Sequence, residues 1–142
     1  MKSKLLLSVD GSKCSGRAAQ FVADLGQRVQ DLEVHLVNVQ PRGDDWMVRR
    51  LLKPEELARM ERDWAESSLG PARATLEAAG VACVEHFEQG DVAKTITHLA
   101  EQLECDQIVM GTRGMSALGE LILGSTANKV LALTKVPVTF VK

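Results

Sequence analysis

The sequence predicts an α/β domain, a doubly wound parallel sheet with helices on both faces, and three observations lead there. Apolar runs of strand length alternate with helix-periodic segments five times along the 142 residues. No hairpin signal joins any two of the runs. There is also no internal repeat, low-complexity tract or composition shift to mark a second domain, and the length suits a single one, domains most often having ~100–150 residues. Strands separated by helices must cross over in parallel and bury both faces of the sheet. Right-handed crossovers leave few topologies, of which the doubly wound sheet is the commonest.

Taken in order, Lys4 to Val9 is a short apolar run ended by Asp10-Gly11-Ser12, a turn that can also start a helix. From Cys14, the positions Ala18, Phe21, Val22, Leu25 and Val29 recur at helical spacing. Glu33 to Val39 is a second strand, closed by Pro41-Arg42-Gly43-Asp44-Asp45. A helix starts near Pro54, with Glu55 and Glu56 at its positive end. Leu57, Met60 and Trp64 mark its inner face, which Leu69, Ala72, Leu76 and Ala79 resume after a shift. Gly70-Pro71 at that shift predicts a kink or break, and Gly80 the stop. Val81 to Glu88 is the third strand. Asp91 is the expected N-cap of a helix buried through Val92, Ile96, Leu99 and Leu103. Gln107 to Met110 is the fourth strand; a glycine-rich stretch runs to Gly124, followed by a helix through Val130, Leu131 and Leu133. Val136 to Val141 closes the sheet, with Pro137 near its start, where proline is tolerated.

Composition narrows the function classes. A net charge of -2 offers no basic field for nucleic acid. No stretch approaches the roughly 18–20 apolar residues that cross a bilayer. The opening Leu5-Leu6-Leu7 run stops at Asp10, short of a signal-peptide core. Three well-separated cysteines, Cys14, Cys83 and Cys105, read as buried small hydrophobes in a reducing compartment. The expectation is a cytoplasmic domain that binds neither nucleic acid nor membrane.

In such sheets ligands bind beyond the carboxyl ends of the strands, where the winding reverses. The richest turn there is Gly111-Thr112-Arg113-Gly114, followed by Gly124-Ser125-Thr126. Glycine lets the backbone approach a ligand closely. Gly111 and Gly114 would expose consecutive N–H groups past the fourth strand. Gly124-Ser125-Thr126 opens a helix whose first N–H groups and dipole favour an anion, with two hydroxyls added. Together these make a phosphate cradle; the alternative is a turn that is merely tightly packed. Neither a P-loop nor Gly-x-Gly-x-x-Gly is present.

The spacing Gly111-x2-Gly114-x9-Gly124-Ser125 is similar to the nucleotide-binding signature of the universal stress protein family. The resemblance extends over the chain. Leu6 to Ser12 looks like the family's first strand and turn, Asp106 to Gly111 like its fourth strand, and Val136-Pro137-Val138 like its closing strand. It implies a five-stranded parallel sheet of order 3-2-1-4-5, a homodimer, and, in the branch with this signature, ATP binding. By position, Asp10 and the backbone of Val39 would contact the adenosine. Met110, Gly111, Arg113 and Gly114 would lie along the ribose and phosphates, with Gly124, Ser125 and Thr126 holding the terminal phosphates. Ser8, beside the base, stands where ATP-binding relatives often carry proline or alanine.

The residues themselves leave roles open. Asp10 can accept hydrogen bonds from an amino group or a ribose hydroxyl, or can cap the first helix. Arg113 could offset phosphate charge or sit solvated in its loop. Lys13 and Lys129 read as surface residues. Asp10 with Asp91 or Glu120 could hold Mg²⁺ beside a triphosphate. His35, His86 and His98 are scattered through a strand, a strand and a helix and form neither ligand cluster nor dyad in sequence. The leading reading is a nucleotide-loaded regulatory module. The alternatives are a slow ATPase or phosphotransferase, and a dimeric scaffold whose site stays empty.

Two surfaces follow. Val136, Val138 and Phe140 share one face of the last strand, whose unpaired edge invites another chain; the resemblance implies antiparallel pairing of Val136–Val141 across a twofold axis. The connection from Gln40 to Lys53 carries Trp46, Met47, Leu51 and Leu52 beside Arg49 and Arg50, read as a helix face packed on its own sheet, with a partner or lid surface as the alternative.

Overall fold

The computed structural model describes residues 2–41, 50–113 and 123–142. The elements are β1 (Ser3–Ser8), α1 (Lys13–Arg28), β2 (Leu32–Gln40), α2 (Pro54–Ala78), β3 (Cys83–Gln89), α3 (Val92–Gln102), β4 (Gln107–Gly111), α4 (Ser125–Leu133) and β5 (Val138–Val141). All strand pairs are parallel, and the order is β3-β2-β1-β4-β5. This is the doubly wound sheet the alternation predicts, in the order 3-2-1-4-5. The winding reverses between β1 and β4, which opens a crevice at their carboxyl ends.

The order follows from which strands can lose both faces to helices. Leu5, Leu6 and Leu7 are fully buried, so β1 takes the centre. On one side, Leu5, Leu7, Val34, Leu36 and Val109 meet Ala18 and Val22 of α1 and Leu69, Ala72 and Leu76 of α2. On the other, Leu6, Val37 and Ile108 meet Ile96 and Leu99 of α3 and Ala127 and Val130 of α4. β3 and β5 lie at the edges and are only partly covered. Arg73 of α2 ties β3 down from outside through a double contact with Glu85 and an ion pair with Glu66 at 2.7 Å. Both carboxylates raise the guanidinium pKa above its ordinary value.

Local signals act mostly as expected. Asp91 caps α3, its Oδ1 accepting from Lys94 N at 3.0 Å. α2 ends in a Schellman turn, with Val81 N donating to Leu76 O, Gly80 N donating to Glu77 O, and Gly80 at φ +72°. That turn takes up Val81 and Ala82, so β3 begins at Cys83. β5 likewise begins later than expected, because Val136 is held in a turn by the Thr134 hydroxyl.

Four expectations are corrected. α2 runs through Gly70-Pro71 without a break: buried Ser68, Leu69, Ala72 and Leu76 hold both halves against the same core, and the neighbouring turns carry the helix across the missing N–H. Trp64 is not on an inner face; it is 45% exposed, and Ala65 beside it is the residue that packs against the core, with the fully buried part of α2 beginning at Ser68. Phe21 is also mostly out of the core, at 39%. Leu51 is 81% exposed and does not pack on the sheet; Trp46, Met47 and Arg49 lie outside the described residues. Cys14 and Cys105 are buried as expected, while Cys83 is only partly so.

Candidate functional site

A cleft of about 470 Å³ lies at the carboxyl ends of β1, β2 and β4 and the start of α4. That size falls within the ~300–1,000 Å³ of small-molecule sites. Ser8, Asp10, Val39, Met110, Gly111, Arg113, Gly124, Ser125 and Thr126 all line it. Gly114, the remaining residue of the signature, lies outside the described residues.

The β2 wall is set by strand alternation. Val9 N donates to Val37 O at 2.9 Å and Gly90 N to Gln40 O at 3.0 Å. Odd-numbered residues at this end of β2 therefore turn their N–H and C=O toward β1, and even-numbered ones toward β3. β1 goes no further, since Val9 O accepts the Asn38 side-chain amide at 2.8 Å. Val39 thus directs an adjacent N–H and C=O past the end of β1 into the cleft. Asn38 is itself buried, and its Oδ1 accepts from Gln40 Nε2 at 3.0 Å. A buried amide inside the apolar run Val37-Asn38-Val39 is the sequence signal that marks this end of the strand.

The β1 turn corrects the capping expectation. Ser12, not Asp10, caps α1: its Oγ accepts from Ser15 N at 3.2 Å. Asp10 Oδ1 instead accepts from Ser12 N at 2.9 Å, an Asx turn that fixes the carboxylate at the cleft. Gly11 between them has φ +83°, a left-handed conformation that glycine adopts without strain.

The β4 end corrects another reason. Gly111 is needed chiefly because α1 sits against it: a Cβ there would lie 2.7 Å from Cys14 Cβ and 2.9 Å from Cys14 C. Next to it, Thr112 N donates to Val141 O, and Thr112 O accepts from Gly124 N at 2.6 Å. Thr112 thus closes the neck of the excursion between Arg113 and Gly124. Its buried hydroxyl also lines the cleft and makes no hydrogen bond of ordinary geometry, the only such side-chain atom among the described residues. Burial pushes the adjacent Cys14 thiol up, but Thr112, Arg113 and Arg17 outweigh it and bring its pKa below the ordinary value.

Gly124 precedes α4 and has no side chain to cap it, so the first N–H groups of the helix receive no N-cap side chain. Asn128 Nδ2 donates to Leu123 O and Gly124 O and pins the turn. The cleft therefore has two chemically different ends: a donor–acceptor backbone edge at Val39 and a helix N-terminus with two hydroxyls. Asp10 is its only carboxylate among the described lining residues. Asp91 does not reach it, its Oδ1 engaged as a cap, and Glu120 lies outside the described residues. Lys13 and Lys129 are exposed and line nothing here. Among the described residues, no group of three His, Cys, Asp or Glu could hold a metal ion, and no helix is long and apolar enough to cross a membrane.

The universal stress protein family model matches residues 1–142. A universal stress protein of Thermus aquaticus is 33% identical over 143 residues, covering 100% of both chains. Slr1230 of Synechocystis is 29% identical over 136 residues, but the chain spans only 41% of that relative's length, against 96% of its own. The solved structure of MJ0577 aligns with a TM-score of 0.84 at 26% identity, over 100% of this chain and 96% of that one. Two more distant universal stress protein structures contain adenine nucleotides. One, from Archaeoglobus fulgidus, holds dAMP (21% identity, TM-score 0.71, 100% and 98% coverage); the other holds cAMP (19%, 0.72, 99% and 97%). With the five-stranded sheet, the order 3-2-1-4-5 and a match along its whole length, this chain belongs to the universal stress protein family.

Proposed function

We propose that the chain is an adenine-nucleotide-binding regulatory module, with ATP held at the β1/β4 switch point. The observation that supports this best is the cleft's two-ended chemistry. An adenine presents an N6 donor beside an N1 acceptor, the complement of the adjacent C=O and N–H of Val39. A polyphosphate matches the opposite end, where the N–H groups of Ser125, Thr126 and Ala127 and two hydroxyls stand at a positive helix terminus. Asp10 serves the ribose between them, and Met110, Gly111, Arg113 and Gly114 the path to the phosphates. The two related proteins solved with dAMP and with cAMP support an adenine nucleotide as the class of ligand.

Mg²⁺ fits as a companion of the triphosphate. It takes few protein carboxylates and several phosphate oxygens, so the triphosphate would supply most of its ligands while Asp10 stays with the ribose. The ion would offset charge; the chain's own part is to orient the nucleotide by backbone donors and exclude water from its base.

ATP, ADP and AMP titrated calorimetrically into nucleotide-free protein test the reading. Affinity should fall in that order, and Gly124→Val should weaken ATP more than AMP. Equal affinity for all three would remove the phosphate end from the account. Sustained hydrolysis at saturating ATP would favour the ATPase or phosphotransferase alternative over the module. We also propose a homodimer through β5, whose outer edge is unpaired among the described residues.

A further inference from the structure

Away from the cleft, β2 and β3 bring together three titratable side chains. His35 Nε2 lies 2.8 Å from Glu33 Oε1, and His35 Nδ1 lies 2.9 Å from His86 Nε2. The two rings meet edge to edge, their centroids 5.2 Å apart. This pairing corrects the reading of three unconnected histidines; His98 stays exposed on α3. His35 is only 6% exposed, so a lost hydrogen bond there is not readily replaced by water.

We propose that Glu33, His35 and His86 form a proton-operated latch, which fastens the edge strand β3 to β2 and opens when both imidazoles are charged.

The argument is one of donors and acceptors. The Glu33 carboxylate only accepts, so His35 Nε2 carries a hydrogen. In the neutral pair, His35 Nδ1 is then a lone pair and His86 Nε2 the donor. One added proton is tolerated, because whichever ring takes it, a single hydrogen still lies between the facing nitrogens. A second added proton puts an N–H on both, so the contact at 2.9 Å becomes two donors and two positive charges face to face. Burial, and then His35, push the His86 pKa below the ordinary histidine value, with Glu88 opposing. Charging His86 against a charged His35 therefore falls on the acid side of that value.

Among the described residues the surrounding charges are few. Glu33 faces Lys4 across β1 and is influenced by Lys2; on β3, Glu88 is the carboxylate that acts on His86. α3 turns Ala93, Ile96, Leu99 and Ala100 to this side of the sheet, with Cys105 beyond, while its Lys94, His98 and Glu101 are exposed. Among the described residues β3 has only β2 as a neighbour, so this contact bears on that ladder. Its far end reaches the cleft wall, where Gly90 N donates to Gln40 O.

Imidazole ¹⁵N shifts and amide hydrogen exchange, followed against pH on the full chain, test the latch. At about pH 8 both rings should be Nε2–H tautomers, with His35 Nδ1 a hydrogen-bonded acceptor. The pair should then take up protons in two steps. Protection of Cys83–Gln89 amides should fall ~10-fold across the second step, after correction for intrinsic exchange, while that of β1 holds. His86→Gln, whose neutral amide can face His35 in either protonation state, should abolish the acid-dependent loss. Two independent, ordinary histidine titrations, or β3 protection indifferent to the second step, would overturn the proposal, as would an unchanged loss in a folded His86→Gln variant. If that variant does not fold, the wild-type titration decides alone.

Discussion

Gly111→Ala is the sharpest structural test, because one atom is added where α1 rests on the end of β4. The new Cβ would meet Cys14 Cβ at 2.7 Å, Cys14 C at 2.9 Å and Ser15 N at 3.1 Å. Two of these are backbone atoms of the first helical turn, held by the Ser12 cap and by Ser15 Oγ donating to Ser12 O at 3.0 Å. No flexible side chain can swing aside, so helix and strand must separate by several tenths of an ångström. Overpacking of this kind costs about 1–3 kcal/mol, and backbone contacts place it in the upper half, about 2–3 kcal/mol. Gly16 provides the control: it directly follows Ser15 in the same helix, with nothing within 4 Å of its built Cβ. Gly16→Ala should therefore stabilise by about 0.5–1 kcal/mol through helix propensity alone. Urea unfolding of nucleotide-free protein reads both. With a slope near 2 kcal/mol/M, Gly111→Ala should lower the midpoint by about 1 M or more, and Gly16→Ala should raise it by ~0.3–0.5 M. A Gly111→Ala midpoint within ~0.2 M of wild type would refute the close packing of α1 on β4.

Other consequences follow. Glu104 ends α3 in a Schellman turn at φ +54°, a conformation that strains any side chain. Glu104→Gly should stabilise by about 0.5–1 kcal/mol, less the unfolded-state entropy glycine adds, read as a raised urea midpoint. The hydrogen bond from His35 is the main reason the Glu33 pKa lies below its ordinary 4.5. A depressed carboxylate pKa contributes stability that is present above 4.5 and lost as pH falls through the folded value. Glu33→Gln should therefore flatten the stability–pH curve below that point, and an unchanged slope there would contradict the contact. On β5, Pro137 O and Val141 O accept from β4, so the Val138 and Phe140 N–H groups point outward. Val138→Pro removes one outward donor but keeps an apolar side chain, and should turn dimers into folded monomers in sedimentation. A persistent dimer would exclude β5 pairing.

Most of the architecture could be read locally. The uninterrupted Leu5-Leu6-Leu7 run signals a strand covered on both sides, and the Ala18–Val22 spacing the helix that covers it. The cleft was legible too, because topology alone puts turns after β1 and β4 at one switch point. What could not be read depends on register and on distant neighbours. His86 stands opposite Val37, two residues from His35, only because β2 and β3 pair as they do; nothing within either strand announces that. Gly111 reads from sequence as space for a ligand, whereas the space it yields is taken by Cys14 of α1. Pro71 reads as a breaker, but tertiary burial of Leu69 and Leu76 carries the helix through it. The amphipathic spacing at Trp64 is real, yet in that stretch Ala65, not Trp64, packs against the core.

The central claim, a nucleotide held between Val39 and the start of α4, is tested most directly on protein that has never been offered one. The native chain is purified gently and denatured, and whatever it releases is identified by chromatography and mass, with Gly124→Val alongside. The account predicts ATP near one equivalent per chain from wild type, and little from the variant, whose branched side chain blocks close approach of a phosphate to the first turn of α4. A wild-type protein that releases no nucleotide and takes up no added ATP would contradict it.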